Sequence, residues 1–215
     1  MDLVKVIQAQ LESIYDVKVG ESAQDYLIGK QELIELWPES ELHTVPKELF
    51  LVNPSPQEDT LEVALFLDSS LKENLVRNNP LEKLDYGNIS DFCTLIEGVS
   101  HFVYYLHKSF MQHNITQLEL ELQAEIDKFI LLSLFLLNRD GRYEDILDLL
   151  FENYFLHDQL DLSQVERYET ASSLARKYCY QLSENLKTQN LTRLFQEIRE
   201  FYLLSQEEKI RHILQ

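Results

Sequence analysis

Residues 115–137, ITQLELELQAEIDKFILLSLFLL, limit the fold more than any other stretch of the chain. From Phe129 onward every position but Ser133 is apolar. A helix that is apolar all round has to be enclosed by other elements or by lipid. Lipid fits poorly, because Glu119, Glu121, Glu125, Asp127 and Lys128 occupy the first half and the apolar run is shorter than the ~18 residues a span needs. The start is marked as well. Thr116 precedes Glu119 by three positions, the spacing of a capping box, with Ile115 and Leu120 placed for a hydrophobic staple. A helix over 116–137 is therefore expected at the centre of a protein core.

A chain of 215 residues, 45% of them hydrophobic, can bury a substantial core, and its length favours one compact unit. Its 5 glycines and 5 prolines are too few for the many tight turns of a sandwich or barrel, which favours long helices. Cys93 and Cys179 lack CxxC spacing and a third cysteine, so they read as reduced core residues. The opening stretch MDLVKVIQAQLESIYD carries a charge inside its apolar run and no small-residue cleavage site. A cytoplasmic protein without a secretory signal or membrane span is expected.

Along the chain, Leu3, Val4, Ile7, Leu11 and Ile14 recur at helical spacing, and a short strand is expected near 26–28, followed by a helical turn closed by Trp37-Pro38. The apolar runs 48–52 and 61–67, separated by NPSPQEDT, predict an antiparallel β-hairpin. An isolated hairpin is marginal in water, so it must gain a further strand or lie on helices. SSLKENLV predicts a helix, and NNPLEKLDYGN an exposed connection. Beyond it, Ser90 is placed to cap a helix running to about His113, which a short link turns back into 116–137. Asn138 to Gly141 should stop the central helix, RYEDILDLLFENYFL should form the next, and Ser163/Glu166 and Ser205/Glu208 repeat the capping-box spacing. The expected class is α+β, predominantly α: an N-terminal α+β part over 1–80 with the hairpin, and a helical bundle over 90–215.

Function is harder to read. A formal charge of −18 repels phosphate backbones and anionic lipid, which argues against direct nucleic-acid binding and favours a protein partner, a basic one by preference. No phosphate loop, HExxH, GxSxG or paired CxxC is present, which removes the commonest sequence-readable enzymes. The remaining constellation is Glu97 and His101 on one helix with Glu121 and Glu125 on the next, each pair at i, i+4 spacing. Carboxylates and imidazoles on facing helices are how bundles hold a divalent transition metal. Such bundles use Glu-x-x-His, however, whereas EGVSH spaces the pair by four. A charge network or solvated face is the preferred reading, and no cofactor is expected. Gly98 beside Glu97 suggests close helix packing, and Tyr168, Tyr178, Tyr180 and Tyr202 offer either core-edge residues or a partner surface. The expected function is a non-enzymatic, acidic interaction or accessory protein acting through a protein partner. The alternatives are a metal-dependent helical enzyme using Glu97, His101, Glu121 and Glu125, and a mimic of nucleic-acid charge.

Overall fold

A computed structural model describes residues 2–36, 45–55, 60–111, 113–137, 143–151 and 162–215. Among them are nine α-helices: α1 (Leu3–Tyr15), α2 (Lys30–Leu36), α3 (Ser69–Arg77), α4 (Ile89–Phe110), α5 (Gln117–Leu137), α6 (Tyr143–Phe151), α7 (Leu162–Lys187), α8 (Leu191–Leu203) and α9 (Gln206–Leu214). Three strands, β1 (Leu27–Ile28), β2 (Glu48–Ser55) and β3 (Thr60–Leu67), form one sheet. The fold is α+β with helix dominant, as the sequence predicts, and none of these helices is long and apolar enough to cross a membrane. The chain divides into two compact units, 1–8 with 20–102 and 9–19 with 103–215. The division falls inside α4. The expected helix stops at Trp37-Pro38 and at Asn138 to Gly141, and Tyr154, lie outside the described residues.

In the first unit the predicted hairpin is present, with β2 antiparallel to β3. The sheet differs from a simple hairpin because β1 adds to β3 in parallel, giving the order β1-β3-β2. β3 is thus the central strand, and its Leu65, Phe66 and Leu67 are buried. The amide of Asp68 donates to the carbonyl of Lys47 at 2.8 Å, which makes 47 and 68 a bonded pair and fixes the alternation along the ladder. By that alternation the backbone of Pro54 faces away from β3, so its missing N–H costs no ladder bond. Asp68 then caps α3, accepting from the Ser70 amide at 2.8 Å. α4 begins one residue before the expected Ser90. Just before it Asn88 ties down the turn that leads into the helix: it is buried, donates to the carbonyls of Asn78 and Lys83 at 3.0 and 2.7 Å, and accepts from the Asp85 amide at 2.9 Å.

In the second unit α5 is the enclosed helix the sequence predicts. Every residue from 121 to 133 is buried, polar ones included. Of the expected capping box half is seen, the Glu119 amide donating to Thr116 Oγ1 at 3.1 Å, while the Glu119 carboxylate is turned into the core. α7 packs on α5 and α6, and its Ala171, Ala175, Tyr178, Cys179, Leu182 and Leu186 are buried, with Tyr178 stacked on Phe201 of α8 at 4.0 Å between centroids. α7 already begins at Leu162, so Ser163 lies inside it. At α9 the full capping box forms between Ser205 and Glu208. Residues 9–19 of α1 and its exit are held from α8, where the Arg199 guanidinium donates to the carbonyls of Ile14 and Ser13 at 2.7 and 3.0 Å.

Candidate functional site

The second unit encloses a polar network that crosses five of its elements. Its hub is Lys209 on α9, fully buried, at a helical position that shares one face with Ile213. Its Nζ donates to the Tyr104 hydroxyl of α4 at 2.8 Å and to Gln123 Oε1 of α5 at 2.6 Å. Each acceptor passes the polarity on. Tyr104 donates to Glu119 Oε1 at 2.5 Å. Gln123 donates from Nε2 to Asp127 Oδ1 at 2.8 Å and to the Tyr15 hydroxyl at 3.0 Å, and Tyr15 itself donates to Asp127. Two arms therefore run from one ammonium to two buried carboxylates.

A second lysine completes the arrangement. Lys108, fully buried on α4, donates to the carbonyls of Leu203 and Leu204 at 3.0 and 2.7 Å and stands 3.9 Å from Glu119. A helix leaves its last carbonyls without intrahelical partners, and Lys108 satisfies those at the end of α8 with a cation where the helix dipole favours one. Aromatic rings close the space between the charges. Tyr202 stacks on Tyr15 at 3.8 Å between centroids and meets Tyr104 edge-on at 4.9 Å.

Electrostatics follow from the enclosure. Burial pushes the Lys209 amine down to about 7, with Lys108 adding to the fall while Glu119 and Asp127 oppose it. Burial lowers Lys108 too, against the pull of Glu119 and Glu208. The phenols of Tyr15, Tyr104 and Tyr202 are raised, first by burial and then by the nearby carboxylates. An amine near neutrality is what Schiff-base and proton-transfer lysines require. Here its hydrogen bonds are committed to Tyr104 and Gln123 and its flanks are lined by rings, so this geometry orders the core.

The four residues expected to share a site are distributed two to each unit. Glu125 accepts from Lys128 at 2.6 Å in the second unit, beside Glu121 on the buried length of α5. In the first unit His101 is buried rather than solvated, and its Nδ1 lies 3.5 Å from Glu48 Oε1. Glu48 comes from β2, so the spacing of residues along α4 and α5 does not point to it. Gly98 explains the approach: a Cβ there would lie 2.8 Å from Glu48 Cγ and 2.9 Å from Leu65 Cδ1, which bears out close packing at this glycine. Of the four C-terminal tyrosines, Tyr178 and Tyr202 are buried, Tyr168 is half-buried and Tyr180 is exposed. Lys108 and Lys209 belong to no motif in the sequence. Their signal is a lysine on the core-facing stripe of an amphipathic helix, in register with Tyr104 and Ile213 respectively.

No protein-family model, curated protein or solved structure matches the chain.

Proposed function

We propose that this chain is a non-enzymatic interaction protein that acts by binding a basic protein partner through an acidic surface. The observation that carries this reading is where the charge lies. In the second unit, Lys209, Glu119 and Asp127 are linked through Tyr104 and Gln123, and Lys108 stands beside Glu119, all inside the core, which leaves the exposed carboxylates to face outward. The excess is concentrated in the first unit, which holds 17 of the 37 acidic side chains but 6 of the 19 basic ones. Glu32, Glu35, Glu62, Glu73 and Glu82 are exposed there. Such a field speeds encounter with a cationic surface and repels nucleic acid and anionic lipid. Apolar anchors stand on the same unit, Val76 at 83% and Tyr86 at 95% exposure, and aromatic side chains are enriched where interfaces concentrate their energy.

Affinity capture from native extract at low ionic strength tests the reading. A stoichiometric partner released as salt is raised is expected. Tyr86→Ala should weaken capture while leaving thermal stability within about 0.5 kcal/mol, as exposed substitutions do. Recovery of no stoichiometric partner at low salt would overturn the reading. A DNA-binding partner that DNA displaces would make the chain a mimic of nucleic-acid charge.

A further inference from the structure

α9 is docked in an unusual way. Of its nine residues only Lys209 and Ile213 are buried, whereas a surface helix ordinarily buries three or four apolar side chains per two turns. One of its two anchors is thus an ammonium. The niche that receives this ammonium owes nothing to α9. Nζ lies 4.3 Å from the centroid of the Tyr104 ring, 5.1 Å from Phe201 and 5.9 Å from Tyr202, rings carried by α4 and α8. The acceptors are the Tyr104 hydroxyl and Gln123 Oε1, and behind them stand Glu119 and Asp127, to which Tyr104 and Gln123 donate in turn. Ring faces attract an organic cation that has shed its water, two acceptors meet its N–H groups, and carboxylates one bond further back strengthen both contacts. These are the parts of a site for a primary alkylammonium.

We propose that the niche formed by Tyr104, Gln123, Phe201 and Tyr202 is a lysine-binding site held closed in cis by Lys209, and that a lysine of a basic partner segment enters it when α9 is displaced. This rests on the reading of the chain as a binder of basic proteins and names the site that reading lacks. α9 is then a built-in competitor. It excludes free cations by being tethered beside the niche, and it yields to a partner that adds contacts elsewhere on the acidic surface.

The test uses the full chain and its Lys209→Ala variant, with hexalysine peptide and n-butylammonium chloride as probes and circular dichroism to check the fold. Because an occupied niche lowers apparent affinity by the fraction of time it is closed, hexalysine should bind Lys209→Ala about tenfold or more tightly than wild type in calorimetry. Butylammonium should raise the melting temperature of the variant beyond the effect of sodium chloride at equal ionic strength. In wild type, hexalysine should accelerate hydrogen exchange across 206–214 while leaving α5 protected. Equal, salt-sensitive binding to both proteins would overturn the niche while leaving the acidic-surface reading standing. No binding of hexalysine to either would overturn the niche and count against that reading as well. Should Lys209→Ala not fold, peptide binding to wild type without faster exchange in 206–214 overturns the proposal by itself.

Discussion

Lys209 Nζ and the Tyr104 hydroxyl meet at 2.8 Å across 105 positions of sequence, and the same hydroxyl donates to Glu119. One phenol thus satisfies a buried cation and a buried anion at once. Tyr104→Phe removes both bonds and leaves the ring, so the loss isolates the hydroxyl. Stability should fall by about 1–3 kcal/mol, the cost of stranding buried polar groups, measured by urea unfolding at neutral pH. An unchanged midpoint would mean that Lys209 and Glu119 are satisfied without Tyr104.

Stability should rise as pH goes from 7 to 9. Lys209 is pushed down to about 7, chiefly by burial, against an ordinary lysine value near 10.4 in the unfolded chain. Between those values the unfolded state binds more protons, so unfolding becomes harder as pH rises, and this contribution is lost as pH falls through 7. Lys108 is lowered in the same direction. Above about 9 the trend reverses: Cys179, and then Tyr15, Tyr104 and Tyr202, are held protonated by burial at pH values where the unfolded chain ionises. Denaturation of wild type and Lys209→Met across this range checks it. The variant should lose most of the rise.

Gly98→Ala should destabilise the first unit although alanine favours helix by ~1 kcal/mol. The added carbon would stand 2.8 Å from Glu48 Cγ and 2.9 Å from Leu65 Cδ1. Leu65 is fully buried in the central strand and has little room to yield, and forced overpacking typically costs about 1–3 kcal/mol. A melting temperature equal to or above wild type would show that the sheet and α4 can move apart at this point.

His101→Ala separates a buried polar contact from a metal site. Removing the ring leaves Glu48 without the imidazole 3.5 Å away, and a cost of about 1–3 kcal/mol is expected, with the same elemental content before and after. Elemental analysis of the purified wild type is the companion measurement. A stoichiometric transition metal that His101→Ala releases from a folded chain would replace the polar-contact reading with coordination.

Much of the fold was legible because it rests on local rules. Phe129 to Leu132 lie in an apolar run that only enclosure explains, and Leu132 is fully buried. Leu132→Asp should therefore prevent folding by burying an unpaired charge, and a soluble, cooperative variant would contradict that placement. The Ser205/Glu208 capping box and the hairpin are likewise short-range patterns. The site was not legible for the opposite reason. Tyr15 reaches Asp127 over 112 residues and Lys209 reaches Gln123 over 86, and nothing in either neighbourhood names the other. Glu119 shows the limit most clearly. Its spacing from Thr116 promised a reciprocal cap, but a buried tyrosine hydroxyl and a lysine nearby drew its carboxylate inward.

Arg199 grips the carbonyls of Ile14 and Ser13 over 185 residues, and this sets a schedule for synthesis. At 5–20 residues per second, the ribosome needs roughly 10–40 seconds after making Ile14 before Arg199 exists. Throughout that interval residues 9–19 lack their contact with α8, and the apolar length of α5 emerges before α7 is there to cover it. A nascent chain of this kind exposes its most hydrophobic helix while its earliest segment waits, the state that recruits chaperones and that a slowed or truncated translation would leave to aggregate.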